Sequence, residues 1–434
     1  MQRWKIVLLS LLAILLLAVI GLVRWMRPYD LETERNAARA AGIPLTDADL
    51  HIPVPPASEN AASEYKGMIA LEERRRFDTR SFDAATKSTS LALMDDRQAR
   101  ALKALLESRP DVGRLVHAAA AKPHAYFPHE WNMDALFPQF AQMREGAKWI
   151  RWESVLMARE GRYADAVRNQ ALGFRFAAHA AEEPILIGHL VSIACDGLTL
   201  SGFQDILAVA GPNASVASAV RREIDAYDPH RDLLQCLRCE TLYGLNAMRQ
   251  MTSAADIRAL SAPAPAPWKP AGRKRSNGFQ WLFLDPSEAV YLHWMTRIVL
   301  AAGTPASGRE AAVAAVQAEI EQSGGKRPTY MMTYILTPVF AGAIGSETRS
   351  MARRALTLGM ADVMAYRGTH GRWPETLAAA SRSPLMDPYT GKPLEYRLDG
   401  AGFVLSAQPN VAGEDAKTVA KMRRANTLRY PPQP

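Results

Sequence analysis

Cysteine is scarce in this chain: Cys195, Cys236 and Cys239 are the three among 434 residues. So few thiols exclude a disulfide framework as the means of holding the fold. Cys236-Leu-Arg-Cys239 has the spacing of a redox dithiol, which makes the pair a candidate redox site. A reactive pair wants a strand before it and a helix N-terminus beneath it to lower a thiol pKa. No strand-like run precedes this one, and it falls inside a helical segment that starts after Asp228-Pro229. A buried or locally bridged pair is the preferred reading. One C-x-x-C is also two ligands short of a zinc site.

The phosphate-cradling P-loop, the dinucleotide-binding glycine pattern, G-x-S-x-G and H-E-x-x-H are all missing. No catalytic residue, metal site or cofactor is assigned. An excess of one charge is slight, at +8 over the whole chain. Basic clusters at Arg74, Arg75 and Arg76, at Arg273, Lys274 and Arg275, and at Lys421, Arg423 and Arg424 are scattered. They read as solvated faces and not as a nucleic-acid groove. Contact with anionic lipid or a cell-wall polymer stays open.

Long hydrophobic runs are absent with one exception. Ile6 to Val23 is apolar apart from Ser10 and Gly21, and Trp4 and Trp25 bracket it. On a helix these tryptophans lie ~32 Å apart at 1.5 Å per residue, matching a hydrocarbon core of about 30 Å with an aromatic residue at each interface. The run is longer than a signal-peptide core, and AVIGLVRW offers no small-x-small cleavage site. An uncleaved anchor is therefore expected in a bacterial inner membrane, with the soluble body in the periplasm. Arg3 and Lys5 on one flank balance Arg24 and Arg27 on the other, so the side rests on the short N-terminus staying inside.

Beyond the anchor the composition is that of an ordinary globular protein, 48% apolar and 22% charged over the whole chain. Helical periodicity dominates, so the expected fold class is mostly α: the transmembrane helix, a helical domain, and a small C-terminal β-hairpin module. The expected division is 1–27 anchor, 28–261 helical domain, 262–278 proline-rich basic linker, 279–344 helical segment, 345–412 long helix plus hairpin, and 413–434 basic tail. Within the helical domain, Trp149, Trp152, Leu156, Gly161, Tyr163, Ala166 and Ala171 sit at spacings similar to one tetratricopeptide hairpin, helices 142–160 and 163–181. No second copy occurs at that period. His179 and His189 read as surface or half-buried residues, and Glu145, Glu153 and Glu160 as a charged helix face.

KPHAYFPHEWNMDALFPQF, 122–140, is the most irregular stretch of the front half. His124, His129, Glu130 and Trp131 are its candidate ligand-binding residues, because aromatic walls with a few polar groups line most small-molecule pockets. Neither a His pair nor a His–Glu pair has helical metal-site spacing, and an aromatic-packed loop is the plainer reading.

Near the C-terminus, DPYTG signals a type I turn, with Asp387 bonding the turn backbone. Leu394, Tyr396 and Leu398 alternate with polar residues as a half-buried strand does; DGAG turns the chain, and Phe403 and Leu405 return it. YRGTHGRWPETL with DPYTGKPLEY and DGAGFVL resembles the C-terminal region of a group of membrane-anchored bacterial envelope proteins of unassigned activity. IPLTDADL and PPASENAASEY near the front resemble the same group. The layout is also similar to the C-terminal part of type II secretion major pseudopilins, over roughly 353–410. Pseudopilins can bind calcium in an acidic C-terminal loop; here Asn410, Glu414 and Asp415 supply too few oxygens for that ion. The start of the chain lacks the pseudopilin processing site.

Two functions compete. One is a non-enzymatic envelope protein that binds another protein or itself through its helical surface and terminal module. The other is a periplasmic, hydrolase-like enzyme with its site near the loop from His124 to Asp134.

Overall fold

A computed structural model describes residues 2–74, 90–132, 135–229, 232–251, 277–323, 328–337, 340–409 and 415–432. Arg75, Arg76, Asp134, most of the 262–278 linker with its Arg273–Arg275 cluster, Asn410 and Glu414 lie outside the described residues. The fold is mostly α with one small antiparallel sheet, as the periodicity predicts.

Along the chain run α1 (Gln2–Met26), α2 (Leu31–Ala40), α3 (Ala62–Arg74), α4 (Asp96–Glu107), α5 (Pro110–Ala120) and α6 (Gln139–Arg159). Then come α7 (Tyr163–Ala171), α8 (Gly173–Ala181), α9 (Leu186–Ala210), α10 (Ala214–Ala226) and α11 (Leu233–Gln250). A π-helical turn, Gln280–Leu284, leads into α12 (Asp285–Ala302), followed by α13 (Ala306–Ser323), α14 (Pro328–Leu336) and α15 (Phe340–His370). A short α16 (Leu377–Ala380), β1 (Glu395–Asp399), β2 (Gly402–Ser406), α17 (Ala416–Ala425) and β3 (Thr427–Tyr430) complete the order.

The chain divides into two compact units that interleave in sequence: 1–52, 129–136 and 233–342 in one, 53–128, 137–232 and 343–434 in the other. A single domain over 28–261 is therefore replaced by a division in which the chain crosses from unit to unit. Composition shifts mark linkers, but they do not report which helices bury their stripes together.

In the first unit, α1 is long and apolar enough to cross a membrane, and none of its apolar window is buried. Asp30 caps α2 by accepting from the Thr33 N–H at 2.9 Å. Arg35 on α2 donates twice to Glu288 Oε1 on α12, at 3.1 and 2.8 Å, and Arg249 on α11 reaches the same oxygen at 3.3 Å. The Tyr29 ring stacks on His293 at 3.9 Å, and His293 Nδ1 lies 3.2 Å from Glu34. α11 and α12 approach closely because Gly244 faces Tyr291: a Cβ there would run into the tyrosine hydroxyl, which donates to the Glu240 carbonyl. Tyr291 is fully buried and burial pushes its pKa well up.

The second unit is built on α6 and α9, with α7, α8 and α15 packed around them. Gly161, at φ 79°, takes the left-handed conformation that ends α6 and lets α7 turn back antiparallel. The single helix expected over 163–181 is two nine-residue helices that meet at Leu172 and Gly173. The break falls where Gly173 touches Thr199 of α9, a contact that leaves no room for a side chain. His179 and His189 are both buried, at 0% and 1% exposure, which corrects their expected surface or half-buried position. His179 is held in the interior by hydrogen bonds at both ring nitrogens, and His189 Nε2 lies 3.0 Å from Glu347.

The sheet is also larger than a hairpin. Its order is β1-β2-β3, with Tyr396 opposite Leu405 and Phe403 opposite Tyr430. The 413–434 segment is thus not a mere basic tail: Asp415 caps α17 through the Lys417 and Thr418 N–H groups, and β3 comes next. Tyr430 stacks on Phe403 at 5.7 Å and sits against Trp373. With β2 in the middle, Phe403, Val404 and Leu405 are all buried, whereas Leu398 at the hairpin tip is exposed. One-face alternation therefore holds only in part. Asp387 serves the turn as expected: Oδ1 accepts from the Tyr389 N–H at 2.9 Å, and Oδ2 from Thr390 and from the Gln408 N–H.

Candidate functional site

In the second unit, α3, α5 and α6 enclose a groove. Asn60 caps α3, accepting from the Ala62 N–H at 3.1 Å, and its side chain also exchanges hydrogen bonds with the Tyr126 backbone. That clamp fixes the irregular 122–128 segment against the start of α3. Met68 and Glu72 on α3, and Val112 and Val116 on α5, are four apart and so share a helix face. Gln142, Glu145, Trp149 and Trp152 recur at intervals of three, four and three, forming one stripe on α6. Together they line a cavity of about 220 Å³.

Its floor is apolar and aromatic, and its rim is polar and paired. Gln142 donates to Glu72; Lys148 donates to Glu145 at 2.8 Å and lies over the Trp152 ring. The Trp149 indole N–H donates to Glu153 Oε1 at 2.7 Å, and the other Glu153 oxygen faces His117 Nε2 at 2.8 Å. Glu153 is therefore a junction beneath the groove and not part of a solvated charged face. Its bond to His117 holds that imidazole's pKa above the ordinary value. Enclosed sites for whole small molecules run about 300–1,000 Å³, so this groove is sized for one or two side chains. The Gln142–Trp152 stripe was readable in the sequence as a 3.6-residue period. The facing pairs on α3 and α5 carry no signal that they share a cavity.

The loop candidates do not form one constellation. His124 belongs to the second unit, where Nδ1 lies 2.9 Å from Glu182 Oε1 while the other Glu182 oxygen accepts from the Ala125 N–H. His129, Glu130 and Trp131 belong to the first. There His129 leans on the buried Trp131, with ring centroids 5.2 Å apart, and the Trp131 carbonyl accepts from Asn246 at 2.7 Å. Glu130 is exposed and accepts from Asn132 two residues on. This is the aromatic-packed arrangement. Among the described residues no group of three His, Cys, Asp or Glu is placed to hold a metal ion.

Cys236 and Cys239 lie one turn apart on α11, both buried and unbridged, with Cys239 Sγ accepting from Gln235 at 3.3 Å. Cys236 closes the first turn of its helix and Cys239 lies in the second, and both are shut away from solvent among apolar neighbours, where a thiolate is disfavoured. Buried thiols so placed pack as small apolar groups.

Two titratable groups near the α8–α9 junction depart strongly from their ordinary values. His179 Nε2 lies 2.9 Å from the Lys122 carbonyl, which can only accept, so that nitrogen carries the proton. Nδ1 then accepts from the Tyr65 hydroxyl at 2.7 Å. Burial lowers the His179 pKa to about 4, and burial raises Glu183 to about 8. With both ring nitrogens bonded, His179 acts as a neutral tie between α3, α8 and the 122–128 segment.

No family model, no curated protein and no solved structure matches this chain.

Proposed function

We propose that this chain is a single-pass envelope protein, tethered by α1 with its body on the periplasmic side, that binds a segment of another protein in the α3–α5–α6 groove. The groove carries the reading: an aromatic and aliphatic floor of side-chain size, ringed by paired polar groups, suits apolar anchors projecting from a peptide or helix. Tryptophans with little rotamer entropy to lose make effective anchoring surfaces. The tetratricopeptide-like spacing of α6 and α7 and the pseudopilin-like terminal module point to the same class, a membrane-held interaction protein. Self-association is the variant in which a second copy supplies the segment.

The test is photocrosslinking in cells of the full chain. Benzoylphenylalanine at Arg144, beside the groove, is compared with the same probe at exposed Arg382. One polypeptide captured repeatedly from position 144, and lost on Val112→Asp or Glu145→Lys, supports the reading. Equal capture from both positions, or capture indifferent to both substitutions, removes it.

A further inference from the structure

Outside α1, four large apolar side chains of the first unit stand in solvent beside the end of that helix. Trp281 and Leu282 on the π-helical turn are 48% and 41% exposed; Tyr334 and Met331 on α14 are 57% and 39% exposed. The π-helical turn touches both α1 and α14. Arg27, the residue after α1, donates to the Trp281 carbonyl at 3.2 Å and lays its guanidinium over the Trp281 ring at 5.0 Å. Trp281 is thereby pinned to the point where α1 ends.

We infer that this patch is a second membrane contact, seated in the headgroup–acyl boundary of the bilayer that α1 crosses. The inference rests on the reading of α1 as a spanning helix. Its 25 residues measure about 37 Å, longer than the ~30 Å hydrocarbon core, so Arg24, Trp25 and Arg27 fall at interfacial depth. Trp281, held against Arg27, falls at the same depth. Each interfacial layer is about 5–8 Å thick, enough to take an indole and a leucine side chain without further burial. Tryptophan and tyrosine favour that layer, where a ring sits among acyl carbons and its polar edge stays hydrated. In water the same four side chains, on two elements in contact, gain nothing from exposure. The occupant is therefore lipid, and its adjacency to the anchor is what distinguishes it from a protein-docking face. Arg27 adds a cation at headgroup level, which favours anionic lipid. The consequence is orientation: one helix alone leaves a body free to swivel, whereas two contacts fix the first unit against the membrane surface.

The experiment uses the full chain in nanodiscs containing a phosphatidylcholine whose acyl chain carries a diazirine near the glycerol. After irradiation, adducts are mapped by mass spectrometry. Expected are adducts in α1 and also at 280–284 and 331–334, several-fold above those at exposed Leu398 and Met386 of the second unit. The paired change Trp281→Ser and Leu282→Ser should reduce labelling at 331–334, with α1 labelling and the circular dichroism spectrum unchanged. Adducts in α1 with none above the control at 280–284 and 331–334 overturn the inference while leaving the anchor intact. Unchanged labelling at 331–334 in the double variant also overturns it as one continuous surface. An unlabelled α1 removes the anchor and this contact with it.

Discussion

α1 and α9 are both 25 residues long, and both are apolar enough to cross a membrane. None of the α1 window is buried by protein, against 67% of the α9 window. The difference lies in a few polar residues. Between Ile6 and Val23 α1 has no ionisable side chain. α9 carries buried His189, Asp196, Thr199 and Asp205, and the surrounding helices answer them. Arg151 on α6 donates twice to Asp205 Oδ2, at 2.9 and 2.7 Å, and Ser90 donates to Oδ1 at 2.6 Å. Ser350 on α15 reaches Asp196 at 3.3 Å, and Glu347 lies 3.0 Å from His189. Thr199 turns its hydroxyl to the Cys195 carbonyl one turn back. A helix with charges answered by its neighbours is a core helix, however greasy the rest of it is.

The comparison breaks most visibly when charge is moved into α1. Fourteen Leu, Ile and Val residues between 6 and 23 favour insertion by about 4–8 kcal/mol in all. Leu12→Arg with Leu15→Arg costs about 6 kcal/mol near the helix centre, comparable to that whole gain. The variant is expected in the carbonate-soluble fraction and the parent in the pellet. The reverse change in α9 comes next. Asp205→Ala leaves the Arg151 guanidinium, 15% exposed, facing a site with no counter-charge. A loss of about 3–5 kcal/mol is expected, the lower end if Arg151 swings to water. Urea midpoints of the full chain in detergent measure it. Membrane extraction of this variant should match the parent, because α9 contributes packing and α1 is the proposed tether.

The same pair of helices explains why some features were legible in sequence. The long apolar first helix, the mostly helical class and the DPYTG turn are local: a run of apolar residues, a 3.6 period, an Asp-Pro dipeptide. Each needs no distant partner to be recognised. His179 and His189 went to the wrong environment because Tyr65, Lys122 and Glu347 lie far off in sequence and nothing local announces them. The 413–434 segment was read by its charge, yet Leu428 and Tyr430 alternate with Arg429 and had strand periodicity on view. The groove was half visible, since the α6 stripe is periodic whereas its opposing walls come from α3 and α5. The loop from His124 to Trp131 attracted attention by residue type; its side chains are taken up by Glu182, Asn132 and aromatic packing.

A smaller effect sharpens the contrast by pH. His179 has its pKa lowered to about 4 by burial, against 6.5 for an exposed imidazole. Between those values the unfolded chain binds a proton that the folded chain does not. This contribution to stability is therefore complete above pH 6.5 and falls as the pH drops towards 4, by at most about 3 kcal/mol. Comparison of the parent with His179→Phe isolates it, since other groups, Glu183 among them, titrate in both. The stability gap between the two proteins should narrow from pH 7 to pH 4.5; a constant gap would mean that His179 stays neutral in the unfolded state as well, or charges in both.

The smallest effect has the opposite sign and tests the floor of the groove. Glu153 raises the His117 pKa, so protonated His117 contributes stability that is fully present below about pH 6.5 and lost as the pH rises through the raised value. His117 is 41% exposed at its side chain, so solvent screens the pair and its worth stays below about 1 kcal/mol. Global unfolding will barely register that. Local geometry will, because Glu153 also holds the Trp149 indole N–H and so couples the imidazole charge to the orientation of a groove wall. His117→Gln should therefore remove most of the parent's change in near-ultraviolet circular dichroism between pH 5.5 and 8.5, with urea midpoints moving little. If the parent spectrum is flat across that range, Trp149 is set by packing against its apolar neighbours alone and the groove is rigid to protonation. If it shifts and the variant does not, the carboxylate is the hinge between surface charge and the aromatic floor on which binding is proposed to depend.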